Sequence, residues 1–151
     1  MIVLSKLADY GVIVASHMAA HPERQITASV LAEETRLPRA TVAKLLKTLA
    51  HGGIVAGVRG AQGGYRLARE AARISVAEVV AAIDGAMSVT QCTSHDPACS
   101  RSDFCTTRPH WHRINTAVGT ALAAITLAEM LPMHHFTSIE PRLPRSETRA
   151  P

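Results

Sequence analysis

The feature that most constrains the fold of this chain is a change of hydrophobic period at Gly52 and Gly53. Before these glycines, apolar residues recur at helical spacing in three segments: residues 5–20, 27–35 and 39–51. After them the apolar residues alternate, which predicts strands at 54–60 and 64–68 joined by a glycine-rich tip. This order of elements is typical of a winged helix-turn-helix, so we expect a mainly α fold with a two-stranded wing.

Residues that cap or start helices mark where the helices begin. Ser5 precedes the first helix, and Ser75 with Glu78 has the spacing of a capping box at the start of a fourth. Pro109 suits the first turn of a long C-terminal helix, which we expect to extend to about Leu131. The residues from Met133 onward include three prolines and little apolar periodicity, which predicts a disordered tail.

These elements divide the chain into four parts. They are a winged helix-turn-helix domain at 1–70, a connecting helix and cysteine-bearing loop at 71–107, a dimerisation helix at 108–131 and a tail at 132–151. The long helix is assigned to dimerisation because its apolar residues form a stripe: Ile114, Val118, Ala121, Ile125 and Ala128. Pairing with a second copy is the natural way to bury such a stripe, so we expect a two-fold homodimer.

Basic residues are concentrated in the first half of the chain. Residues 1–70 hold nine Lys or Arg against five Asp or Glu, and the third helix has no carboxylate at all. Arg59 and Gln62 stand at the glycine-rich tip, where the backbone can approach a DNA groove closely. The pattern favours binding of double-stranded DNA by the third helix and the wing.

Other classes of function find little support. VRGAQGGYR (58–66) lacks the Walker spacing and joins two strands, so we expect no nucleotide site. Nothing in the sequence has the pattern of an active site, which argues against an enzyme. No apolar run approaches the roughly 18 residues of a membrane span, and His17 interrupts the one stretch that resembles a secretory signal. We expect a cytoplasmic protein.

All three cysteines lie within fourteen residues of the predicted loop: Cys92, Cys99 and Cys105. Three thiolates so close together can converge on a metal centre, although their spacing is too wide for a CxxC redox motif. A zinc site completed by His95, His110 or His112, a thiol switch and three unrelated buried cysteines remain alternatives.

The chain resembles the Rrf-two-type bacterial regulators, the group that contains IscR, NsrR and RirA. The resemblance spans roughly residues 2–131 and rests on LSKLADYG (4–11), LPRATVAKLLKTLAHGGIV (37–55), VRGAQGGYRLA (58–68), ISVAEVVAAIDG (74–85), the three cysteines, Trp111 and ITLAEM (125–130). It implies a dimeric winged-helix regulator whose cysteines hold an iron–sulfur cluster, [2Fe-2S] or [4Fe-4S]. It is strongest to the branch that regulates SUF-type cluster assembly, which implies repression of those genes. The alternative is a cluster-free thiol-redox or zinc regulator.

The resemblance also implies a ligand set. The three cysteines match the family ligands directly, but Arg108 stands where one branch keeps a ligating histidine. In another branch an aspartate of the first helix, supplied by the partner subunit, completes the site, and Asp9 matches that position. We expect Asp9 to be the fourth ligand, with His110 or His112 as alternatives.

The expected DNA contacts come from the first two helices, the third helix and the wing. They are Ser5, Lys6, Tyr10, Thr27, Pro38, Arg39, Thr41, Lys44, Lys47, Arg59, Gly60, Gln62, Gly63 and Tyr65.

Overall fold

The computed structural model describes residues 4–60, 63–94, 99 and 104–131 of the chain. Its helices and strands are α1 (Lys6–Ala19), α2 (Ala28–Thr35), α3 (Arg39–His51), β1 (Val55–Val58), β2 (Gly64–Leu67), α4 (Val76–Asp84) and α5 (Arg108–Ala123). The predicted mainly α winged helix-turn-helix is confirmed. The predictions for Gln62, His95 and the tail 132–151 lie outside the described residues.

The predicted capping residues start the helices as expected. The Ser5 hydroxyl accepts a hydrogen bond of 3.0 Å from the Ala8 amide at the start of α1. At the start of α4, the Ser75 hydroxyl accepts from the Glu78 amide at 3.2 Å, and the Ser75 amide donates to the Glu78 carboxylate at 2.8 Å. These bonds satisfy amides that have no partner inside the helix, which is why the helices begin there.

The turn between α2 and α3 orients the third helix. Arg36 adopts a left-handed conformation with φ of 56°, and the Leu37 amide donates to the Ala32 carbonyl at 3.1 Å. The apolar face of α3 then packs into the main core through four buried side chains: Val42, Leu45, Leu46 and Leu49. The opposite face of α3 is thereby left towards solvent.

The wing is fixed to the start of α2 by a third extended segment. Strands β1 and β2 pair antiparallel from Val55 opposite Leu67 to Val58 opposite Gly64. Ile26 exchanges two backbone hydrogen bonds with Tyr65, of 3.0 and 2.8 Å. A Cβ on Gly64 would lie 2.8 Å from the Ile26 carbonyl oxygen, so this close approach requires glycine.

Helix α5 is shorter than predicted. It ends at Ala123, and the prediction of a helix to Leu131 is wrong for its last residues. The Val76 amide donates to the Ile125 carbonyl at 2.9 Å, and the Leu127 amide donates to the Ile74 carbonyl at 2.8 Å. Leu127 is fully buried in the main core. Burying this side chain and pairing its backbone ends the helix, and it ties the end of α5 back to the DNA-binding domain.

Candidate DNA interface and cysteine segment

The solvent-facing side of α3 carries the predicted recognition residues. Arg39, Lys44 and Lys47 are exposed, and Thr41 is half-buried among them. Pro38 occupies the N-cap position of this helix. The described structure places these side chains opposite the buried face, where they are free to reach a DNA groove.

A groove of about 560 Å³ separates the end of α3 from the wing. Three of the predicted DNA contacts, Lys47, Arg59 and Tyr65, line it, and His51 lines it as well. The described residues that line it include no Asp or Glu, so the groove suits a phosphate backbone. Sequence reasoning missed His51, whose signal was its place one helical turn after Lys47.

The tip of the wing is described only in part. Gly60 has φ of 130°, and the Gly63 amide donates to its carbonyl at 2.9 Å. Only glycine adopts this φ without strain, so Gly60 is required where the chain leaves β1 for the tip.

The predicted contacts on α1 and α2 are partly engaged within the chain. The Lys6 ammonium lies 5.5 Å from the centre of the Tyr10 ring, one turn along α1. Besides capping α1, the Ser5 hydroxyl donates to the Asp84 carboxylate at 2.8 Å. The Thr27 hydroxyl accepts from the Val30 amide at 3.4 Å as the cap of α2. Ser5 and Thr27 therefore have structural roles in addition to the predicted DNA contact.

The three cysteines of this segment are each half-buried. The hydroxyl of Thr90 lies 3.2 Å from the Cys92 sulfur, and that of Thr107 lies 3.2 Å from the Cys105 sulfur. Hydroxyl donors beside a thiolate sulfur stabilise it as a metal ligand. The chemistry of this donor set fits an iron–sulfur cluster.

The described residues do not gather these donors into one site. Among them, no group of three His, Cys, Asp or Glu side chains is placed to hold a metal ion. Asp9 is exposed in the first turn of α1, and His110 and His112 are exposed at the start of α5. The ligand set stays a prediction. In that prediction, Asp9 is supplied by the partner subunit of a dimer.

Helix α5 has two neighbouring faces with different surroundings. Asn115 and Leu122, two helical turns apart, are half-buried and contact other parts of the same chain. Ile114, on the neighbouring face, and Trp111, one turn before Asn115, keep 42% and 37% of their surface exposed. Exposed large apolar side chains of this kind are typical of a surface that contacts another protein. Sequence reasoning missed Asn115, a single polar residue with no motif around it.

The sequence profile of the Rrf2 family, described as an iron-dependent transcriptional regulator, matches residues 4–132. The chain belongs to the Rrf2 family. It is 28% identical over 149 residues to the HTH-type transcriptional regulator IscR of Xenorhabdus nematophila, covering 98% of this chain and 90% of the relative.

Solved structures agree with this assignment. IscR of T. potens has a TM-score of 0.67 and 29% identity, covering 85% of each chain. CymR of B. subtilis, named as the global cysteine regulator, has a TM-score of 0.68 and 25% identity, covering 86% of this chain and 96% of that one. This Rrf2 protein is therefore a DNA-binding transcriptional regulator and not an enzyme. In the part of the chain that the structure describes, no helix is long and apolar enough to span a membrane.

Proposed function

We propose that this Rrf2 protein is a homodimeric repressor of iron–sulfur cluster (SUF) assembly genes and that its own cluster controls its affinity for DNA. The observation that carries the proposal is the position of the three cysteines in the segment that joins α4 to α5, the cysteine segment. Because this segment follows α4 and precedes α5, a change in it can alter how these two helices are placed. The family description as iron-dependent supports a cluster over an inert thiol segment.

The cluster ligands in this proposal are Cys92, Cys99 and Cys105 with Asp9 of the partner subunit. A bound cluster would lose its iron to oxidants or under iron shortage. That loss is the kind of signal that a sensor needs. A carboxylate is a harder donor than thiolate, so Asp9 would make the most labile bond. Arg108 cannot ligate a metal because it stays protonated.

The DNA-bound form in this proposal is a two-fold dimer. Two copies of α3 would enter successive major grooves of a pseudo-palindromic operator, with Lys44 and Lys47 on phosphates. Arg59 at the wing would reach the adjacent minor groove, whose negative potential attracts arginine. The exposed face of α5, with Trp111 and Ile114, would form the contact between subunits.

A cluster-free thiol or zinc regulator is the second candidate. The likeness to CymR, named as a cysteine regulator, favours it, as does the separation of the three cysteines within the described chain. In that case the thiols would act by oxidation or by holding zinc.

Anaerobic purification followed by metal and sulfide analysis separates the two candidates. We expect iron and acid-labile sulfide in the wild type, and loss of both when any one cysteine is replaced by alanine. Asp9→Ala should retain a cluster that decays faster in air, whereas His110→Ala and His112→Ala should decay like the wild type. Zinc without iron would favour the second candidate. Fast decay of one histidine variant, with Asp9→Ala unchanged, would move the fourth ligand to that histidine.

A further inference from the structure

We infer that Asn115 is a positioning residue that couples the cysteine segment to α5. The inference rests on the proposed function, but the hydrogen bonds of Asn115 do not involve a metal. It concerns regulation, because it says how a change around the cysteines would reach the helix proposed to join the subunits.

The Asn115 side chain binds the backbone on both sides of Ser88. Its carbonyl oxygen accepts from the Val89 amide at 3.0 Å, and its amide nitrogen donates to the Met87 carbonyl at 3.3 Å. These partners lie 26 and 28 positions earlier in the chain, and the bonds are partly buried. Only a side-chain amide of this length offers both the donor and the acceptor, so the pair selects asparagine.

The anchored stretch continues directly to the first cysteine. The Ser88 hydroxyl donates to the Thr90 carbonyl at 2.7 Å, and the Thr90 amide donates to the Thr93 hydroxyl at 3.1 Å. The Thr90 hydroxyl in turn lies 3.2 Å from the Cys92 sulfur. The short backbone stretch 87–92 and its hydrogen bonds therefore connect α5 to Cys92, and a displacement of this cysteine would act on Asn115.

The helix then carries the displacement to its exposed face. Gly119 and Leu122 follow Asn115 at helical spacing. The Leu122 side chain packs against the group of buried hydrophobic residues that contains Ala8 of α1. Ile114, the preceding residue, is on the neighbouring exposed face. Because a helix moves as a rigid element, a shift at Asn115 would change how this face meets a second copy.

Three variants separate positioning from simple stability. Asn115→Leu keeps a similar volume and removes both hydrogen bonds, and Asn115→Asp keeps the acceptor for the Val89 amide and loses the donor. Thr116→Ala is the matched control, since its hydroxyl bonds only to the His112 carbonyl of the same helix, at 3.0 Å among the described contacts.

The first measurement uses reduced, cluster-free full-length protein and needs no metal. Alkylation of each cysteine by iodoacetamide is followed by mass spectrometry. Asn115→Leu should speed alkylation of Cys92 by roughly tenfold, the size expected when two partly buried hydrogen bonds are lost. Asn115→Asp should give a smaller increase, and Thr116→Ala none. Wild-type rates in Asn115→Leu, or an equal rise at all three cysteines together with loss of helical circular dichroism, would overturn the inference.

The second measurement compares DNA affinity with and without the cluster. Asn115→Leu should bring the ratio of the two affinities towards one, while Thr116→Ala should keep the wild-type ratio. An unchanged ratio in Asn115→Leu that retains its iron would overturn the coupling. If the wild type holds no iron, the proposed function fails, and the alkylation rates still decide whether Asn115 positions the cysteine segment.

Discussion

At the scale of single residues, Glu78 shows how one carboxylate joins α4 to the end of the winged domain. It closes the capping box of α4, and Arg69, which follows the wing, donates to it at 2.8 Å. The amide of Ser75 first, and then Arg69, hold the pKa of Glu78 below its ordinary value of 4.5. A carboxyl whose pKa falls on folding stabilises the native state above its unfolded pKa, and this stabilisation is lost as the pH drops through the folded value.

Glu78→Gln should therefore be less stable than the wild type at pH 7, and the difference should shrink below about pH 4. The effect should be modest, because the Arg69 and Glu78 side chains are 41% and 43% exposed and solvent screens the pair. Urea unfolding at both pH values measures it. The control is Glu23→Gln, a glutamate with no ion pair among the described residues. A difference that stays constant with pH would mean that the charge of Glu78 does not contribute.

At the scale of elements, the groove between α3 and the wing predicts two kinds of effect on DNA binding. Arg59→Ala should weaken binding to a preferred duplex by about 1–3 kcal/mol and relax its sequence preference. Lys47→Ala should weaken binding to all duplexes similarly and lower the slope of its salt dependence by about 1. Gel-shift titration at several salt concentrations, on a duplex selected from a random pool, measures both.

The control for these variants is Arg73→Ala, an exposed arginine in the turn Ala71–Arg73, outside the groove. It should bind DNA like the wild type. Unchanged affinity of Arg59→Ala would show that the wing does not contact DNA.

The winged domain could be predicted from the sequence because its signals are local. The caps at Ser5, Thr27 and Ser75 and the glycines after α3 fix element ends through hydrogen bonds within a few residues. The end of α5 could not be predicted this way. Leu127 continues the helical pattern in sequence, but it enters a core made by residues distant in the chain. Tertiary burial decided that boundary.

The residue types of the candidate site could be predicted from the sequence, but the contacts that position them could not. Cationic residues on α3 and clustered cysteines are visible in the sequence. The contacts of Asn115 with Met87 and Val89 join segments more than twenty-five residues apart, and a lone asparagine gives no periodic signal. His51 was missed for a related reason, since its proximity to Arg59 depends on how the wing folds back on α3.

At the scale of the whole molecule, the exposed face of α5 predicts how dimerisation responds to a charged substitution on that face. Ile114→Asp should convert the dimer to a monomer that remains folded. Ile114 is exposed in the single chain, but in the dimer an aspartate at this position would be a buried charge without a partner. Sedimentation at micromolar concentration together with circular dichroism measures this. The control Thr116→Asp points to another side of the helix and should stay dimeric. A monomeric wild type would contradict the dimer.

In the proposed function, the cysteine segment controls DNA binding of the whole molecule through a cluster. The most direct measurement is the affinity of one preparation for one selected duplex, determined anaerobically before and after the cluster is removed by a chelator and oxidant, with thiols then reduced again. We expect the affinity to change by at least about tenfold, which corresponds to about 1.4 kcal/mol of coupling. The triple Cys→Ala variant should bind like the cluster-free protein in both states. Equal affinity of the wild type before and after removal would contradict the account.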